Sequence, residues 1–359
     1  MMAGVLEAAD EYAAVELLHD LSCTDGLPVI VPTQERVERM VLSSGLDGDM
    51  VLGEMGPNLG AATIERIAIA AVMAGCLPDH FPVVIAAVKA VSDPVFDLTE
   101  VQATTHCLAP LLLVNGPARA ACGPIASGFG ALGPGFRANA AIGRALRLCM
   151  INIGGGRPGT SDMALLGHPG KFTYCMAEAE ETSPFEPLHV ARGFAPEDST
   201  VTVVGVEAPH SVICVTDADN PDSPLWLLRT LAGALANIGA NNSHLRGGSA
   251  VVVLNPDHAT VLADAGYDRH KIAEALCGLA GHKRGALRAI NPAMAGRGSD
   301  DDFSACFRSP EDLVIVHGGG NGLYSMVMPS WCAGPHANRS VSKVIELNQA
   351  CEIPGMRST

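Results

Sequence analysis

Apolar positions change their spacing along the chain, and the changes mark its elements. Residues 5–20 carry an amphipathic helical pattern that stops at Thr24-Asp25-Gly26 and Pro28. A short apolar run over 28–31 leads to Pro32-Thr33, and Thr33 is the expected N-cap of a helix over 34–42. Residues 62–74 are apolar on almost every face apart from Glu65 and Arg66, which predicts a buried helix ended by Gly75. Asp79 is placed to cap the next helix, which runs to about Val91 with Pro82 in its first turn. Residues 108–114 read as a buried strand. The glycine- and proline-rich stretch 116–135 then delivers the chain into a helix over 138–153, where Ile142, Leu146, Cys149 and Ile153 keep helical spacing.

Residues 157–200 are loop-rich and hold an acidic cluster at Glu178, Glu180 and Glu181. Beyond Thr200 the pattern changes. Residues 200–206, 211–216, 250–254 and 313–317 read as strands, with helices at 225–238, 257–265 and 269–279 between them. Strands alternating with helices predict a mostly parallel sheet in this half. The fold class expected is therefore α/β, with a helix-rich domain over 1–199 that carries a glycine-rich anion-binding loop. A second α/β domain over 200–359 is built around a strand–Gly318-Gly319-Gly320-Asn321-Gly322–helix unit.

Composition narrows the function. With 23 Lys and Arg against 38 Asp and Glu, the formal net charge is −15, and no basic run offsets it. That argues against nucleic acid and against an anionic membrane surface as partners. Charged residues make up 17% of the chain, below the roughly 25% of an average soluble domain, so a homo-oligomer that covers part of the surface is expected. No apolar stretch is long enough to span a bilayer, and the acidic start lacks the basic region of a signal peptide. Eleven scattered cysteines without a CxxC pair fit reduced thiols, so a cytoplasmic location is expected.

Several stretches carry chemistry. The segment from Gly128 to Asn139 brings a glycine-rich loop onto a helix start, where free N–H groups and the helix dipole favour an anion. Gly133, Gly135, Arg137, Asn139 and Arg144 are its candidate binding residues, and Arg147 shares their helical flank. The alternative is that these arginines are solvated or paired with the glutamates. The loop after residues 313–317 places His317, Gly319 and Asn321 beyond the carboxyl end of a strand, where ligands of open α/β sheets sit, although glycines there also serve a tight turn. Cys149, Cys214 and Cys277 read as small core residues. Cys76, beside a helix end, Cys107, after His106, and Cys332 in its loop are the candidate thiolates. In Gly167-His168-Pro169-Gly170-Lys171, followed by Glu178, the groups His168, Lys171 and the glutamates are candidates for acid, base and electrostatic roles. No HxH, HExxH or CxxC spacing appears, so no cofactor is expected. A metal ion held by His106, Cys107, His317 and Cys332 is the alternative.

Four phrases together, Thr24-Asp-Gly-Leu-Pro28 with Pro32-Thr33, Ala71-Val-Met-Ala-Gly-Cys76-Leu-Pro78, the 130–139 segment and Gly167-His-Pro-Gly-Lys171, resemble a little-characterised group of bacterial proteins. The C-terminal third, with its strand, glycines and Ser340-Val-Ser-Lys343, is similar to UGSC-type (seleno)proteins, although the Cys/Sec-Gly-Ser-Cys tetrad is absent here. The resemblance implies an enzyme-like bacterial protein with a special cysteine. The residues and the resemblance together lead to the expectation of a lyase or hydrolase that cleaves or hydrates a polar bond in a small anionic metabolite through a cysteine thiolate. A thiol-based oxidoreductase and a non-catalytic metabolite-binding or scaffold subunit stand as alternatives.

Overall fold

Side-chain caps set the first helices. In the computed structural model, which describes residues 5–217, 219–330 and 339–347, Asp10 accepts the Ala13 N–H and starts α1 (Glu11–Asp20). Thr33 accepts the Arg36 N–H and starts α2 (Gln34–Ser44), as its position in the sequence predicts. Thr63 does the same for α3 (Ile64–Ala74), which Gly75 ends in the left-handed conformation. Asp79 is not the cap of α4 (Phe81–Val91). A 3₁₀ turn over Pro78–His80 leads into that helix instead, and its N-cap, His80, makes no side-chain cap bond.

Twelve strands follow among the described residues. They are β1 (Val51–Met55), β2 (Gly60–Thr63), β3 (Ala109–Asn115), β4 (Cys175–Ala177), β5 (Thr200–Val206), β6 (His210–Ile213), β7 (Ala250–Leu254), β8 (Gly281–Lys283), β9 (Phe303–Ala305), β10 (Leu313–His317), β11 (Tyr324–Met328) and β12 (Val341–Val344). Eight of them form two four-stranded sheets, ordered β12-β5-β3-β4 and β10-β7-β11-β6. Each sheet has one parallel pairing, β3 with β4 and β7 with β10, and its other two pairings are antiparallel. The fold is thus α/β with mixed sheets, not the mostly parallel arrangement expected.

The two sheets lie face to face. Leu111, Leu113, Val204 and Val206 of the first sheet share one buried cluster with Val251, Val253, Val314 and Val316 of the second. The alternate residues face outward into helical layers. Leu112, Val114, Val201 and Val203 pack with α3, α4 and the helix over Arg137–Asn152. Val252, Leu254, Leu313 and Ile315 pack with the helices over Ser223–Leu235 and Arg269–Leu279. Strands covered on both faces read as continuous apolar runs, which is the pattern that suggests a parallel sheet. Here the second face is covered by the other sheet.

Strands from both sides of position 200 share the first sheet: β5 lies between β3 and β12. The glycine stretch after β10 also departs from expectation. It returns the chain as strand β11, antiparallel to β7, where a helix was predicted. The cause lies in Tyr324–Met328, a β-favouring segment whose inward residues Ser325 and Val327 are fully buried.

Candidate functional site

The segment that follows the helix over Arg137–Asn152 folds back across the start of β3. The Met163 N–H donates to the Gln102 carbonyl and the Leu165 N–H to that of Thr105, which lays residues 162–167 beside 102–107. The crossing ends at a sulfur: the Gly167 N–H donates to Cys107 Sγ at 3.1 Å. Cys107 is half-buried.

One basic side chain, Lys171, acts on this thiol. The stem of Lys171 lies against Gly167, so that a Cβ built there would come 3.3 Å from Lys171 Cδ. The Lys171 ammonium bonds both oxygens of Asp162, at 2.8 and 2.9 Å, and Arg147 Nη2 reaches the same carboxylate at 2.9 Å. Burial lowers the Lys171 pKa, opposed by Asp162 and, more weakly, by Cys107. Burial pushes the Asp162 carboxyl up, yet Lys171 and Arg147 together hold it below its ordinary value.

His106 precedes the thiol and bonds Glu207 through Nε2 at 2.9 Å, while its Nδ1 is buried with no partner among the described residues. His168 stands edge-on to Tyr174, with ring centroids 5.8 Å apart, and its Nδ1 accepts the Gly170 N–H. Burial lowers the His168 pKa, with the charges of Lys171 and His106 adding to the effect and the Val206 carbonyl and Glu207 opposing it. Tyr174 completes the wall by donating its hydroxyl to the Glu207 carbonyl at 3.0 Å. Glycine is required beside it: a Cβ on Gly170 would fall 2.6 Å from His168 Cε1 and 2.7 Å from Tyr174 Cδ1. A shallow, open cleft of about 10 Å³ adjoins this group, with Leu146, Met150, Arg147, Lys171 and Tyr174 in its lining, which does not include Cys107 or His106.

The structure therefore brings together Cys107, His106 and Lys171 of the predicted catalytic residues. The sequence did not single out Asp162, Glu207 or Tyr174. Their role depends on the fold-back of 162–171 over β3, which no local spacing announces.

The other candidates go elsewhere. Glu178 is fully buried where β4 ends and accepts from Asn115 Nδ2, the backbone N–H of Leu188 and of His317, and the guanidinium of Arg269. With four donors it is a structural anchor between the two sheets, not the proton carrier expected. Cys76 is buried, and burial raises its pKa despite the nearby Arg137, so it is no ready thiolate. Asn139 spends its amide on the backbone: it accepts from Ala126 N and donates to the carbonyls of Ala126, Ala131 and Cys175. Arg144 is bound bidentate to Asp25 and tied to the 27–28 turn, so it lies away from the loop. Gly133 and Gly135 lie in an exposed turn.

His317 is fully buried and bonds the Ala179 carbonyl, and Asn321 bonds Asp257, so neither lines a crevice. Gly319 donates its N–H to the Ser127 carbonyl, which joins the two glycine-rich stretches in one contact. Cys332 lies outside the described residues. Two of the three arginines are paired, Arg144 with Asp25 and Arg147 with Asp162, while Arg137 donates to the Gly75 carbonyl; Glu180 and Glu181 take Arg119. No group of three or more potential metal ligands occurs among the described residues, and no helix there is long and apolar enough to cross a membrane. No protein-family model, curated protein or solved structure matches this chain.

Proposed function

We propose that the chain is an enzyme, a lyase or hydrolase, that cleaves or hydrates a polar bond in a small anionic metabolite, with Cys107 as its nucleophile. The observation that carries this reading is the fold-back of residues 162–171, which aims the Gly167 N–H at the Cys107 sulfur and sets Lys171 beside it. A cysteine nucleophile needs a donor or cation at its sulfur and a base within reach, and this corner supplies both types of group.

The anionic character of the substrate rests on charge. Arg147 and Lys171 carry one more positive charge than Asp162 removes, and both cations line the cleft. A carboxylate or phosphate entering it meets this excess positive charge. His106 takes the thiol proton as the Cys107 sulfur bonds to an electrophilic carbon of the substrate and the bond from that carbon to its leaving atom breaks. His106, oriented by Glu207, protonates the leaving atom. Water subsequently replaces the sulfur on that carbon, and its proton returns to His106.

The test is product formation, followed by NMR, from a panel of small carboxylates and phosphate esters. Wild-type protein converts at least one member, and Cys107→Ser lowers that rate by about a thousandfold, the scale of a lost nucleophile. Conversion of that compound by Cys107→Ser at the wild-type rate would remove the proposal.

A further inference from the structure

β12 is an edge strand of the first sheet, and its residues alternate between two faces. Val341 and Ile345 pack into the helical layer, and Lys343, between them, pairs with Asp93. Ser340 and Ser342 therefore fall on the opposite face, where Ser342 stands across from Thr202 of β5. The short helix over Leu188–Ala191 brings its C-cap residue, Arg192, against this face. The guanidinium spans the two serines: Nη2 donates to Ser340 Oγ, and Nη1 donates to Ser342 Oγ at 3.2 Å.

This arginine has no counter-charge. Among the described residues it forms no ion pair, and its side chain bonds the two serines alone. Burial lowers its pKa, and no carboxylate acts against that shift. A charge withdrawn from water is ordinarily paired. Arg119, Arg144, Arg147 and Arg269 each hold an Asp or Glu in this same chain. The hydroxyls deepen the imbalance. Thr202 is fully buried, and its Oγ1 lies 2.8 Å from Ser342 Oγ with no other partner among the described residues. A buried hydroxyl proton needs an acceptor, so Thr202 donates and Ser342 accepts from both Thr202 and Arg192. The Ser342 proton is then left over. So is that of Ser340, whose oxygen accepts from Arg192 and whose proton has no acceptor among the described residues. Arg192 Nε–H likewise bonds nothing there. All that this corner has left to offer is donors. Arg192, Ser340 and Ser342 are each half-buried, so their free side opens to solvent.

We infer that Arg192, Ser340 and Ser342 form a binding site for an oxyanion, the phosphate or carboxylate group of a small metabolite. The anion supplies the missing counter-charge and accepts from the guanidinium and from both serine hydroxyls. The site shares no residue with the Cys107 corner and does not depend on the reaction proposed there. A phosphate and a carboxylate offer the same acceptor chemistry, and the experiment distinguishes them.

Uniformly ¹⁵N-labelled full-length protein is titrated at pH 7 and constant ionic strength with inorganic phosphate and, separately, with acetate, and the backbone amide signals of Ser340 and Ser342 are followed. Saturable shifts are expected with at least one anion, and the tighter of the two identifies the ligand group. Arg192→Gln and Ser340→Asp should each weaken that binding by about tenfold or more, the scale of a charge-assisted hydrogen bond. The first removes the charge, and the second answers it with a carboxylate of the chain's own. In thermal unfolding the favoured anion should raise the wild-type midpoint and leave that of Ser340→Asp unmoved. Ser340 is half-buried just before β12, so this variant decides the matter even if Arg192→Gln fails to fold. Amide signals that saturate with neither anion, or an affinity in Ser340→Asp equal to that of the wild type, would overturn the inference.

Discussion

The backbone N–H of Gly167 donates to the sulfur of Cys107 at 3.1 Å, sixty residues away along the chain. This bond joins the glycine-rich turn that carries His168 and Lys171 to the histidine–cysteine pair at the entrance of β3. Cys76, Cys122, Cys149 and Cys175 are buried, and burial raises the pKa of each, to about 12 for the last three. Cys277 is half-buried, and burial, with Asp312 and Glu311, raises its pKa too. Limited alkylation of the native protein with iodoacetamide, read by peptide mass spectrometry, should therefore label Cys107 before Cys277 and before the four buried thiols. Labelling of Cys277 ahead of Cys107 would remove the distinction drawn between them.

Gly170→Ala should disturb the site. The new methyl group overlaps His168 and Tyr174, so one of the rings must move, at about 1–3 kcal/mol of stability. Thermal unfolding measures the loss, and slower Cys107 alkylation at a temperature where the variant is folded reports the displaced turn.

Asp162 governs the pH response. Its folded pKa is depressed, so the stability it contributes is complete above the ordinary carboxylate range and is lost as pH falls through the lower, folded value. Denaturant unfolding of wild type and Asp162→Asn should show the variant less stable at pH 7, with the gap closing as the solution is acidified below pH 4. The variant also leaves Lys171 and Arg147 side by side without their shared anion.

Glu178 is a stability residue. Glu178→Gln leaves the buried Arg269 guanidinium without its counter-charge, a loss of about 3–5 kcal/mol in chemical denaturation. Replacing both residues, Glu178→Gln with Arg269→Met, should cost less than the sum of the two single changes, because no charge is then left unpaired.

Much of the fold is readable in the chain. Helices with a strong apolar face and a side-chain cap, such as α2 behind Thr33 and α3 behind Thr63, fall within a few residues of their expected positions, since the cap and the periodicity are both local. The strands at 109–115, 200–206, 250–254 and 313–317 are readable as apolar runs. Their pairing is not, because direction depends on which strand arrives alongside. Tyr324–Met328 could follow the glycines as helix or strand, and the vacant edge of β7 decided it. The site divides along the same line. Cys107, His106 and Lys171 are conspicuous by residue type. Glu207 lies in the connection from β5 of one sheet to β6 of the other and Asp162 sits in a loop, and only the tertiary fold brings either to the thiol. The arginine flank misleads for a similar reason: helical spacing places Arg137, Arg144 and Arg147 on one side, but Asp25 and Asp162, remote in sequence, claim two of them.

The most direct test of Cys107 as the nucleophile is intact-protein mass spectrometry after acid quench, with any small carboxylate or phosphate ester that the wild type converts. The account predicts an added mass that maps to the Cys107 peptide in wild type and is absent in Cys107→Ser. Unimpaired turnover of that compound by Cys107→Ser, with no added mass on the wild-type peptide at any quench time, would contradict it.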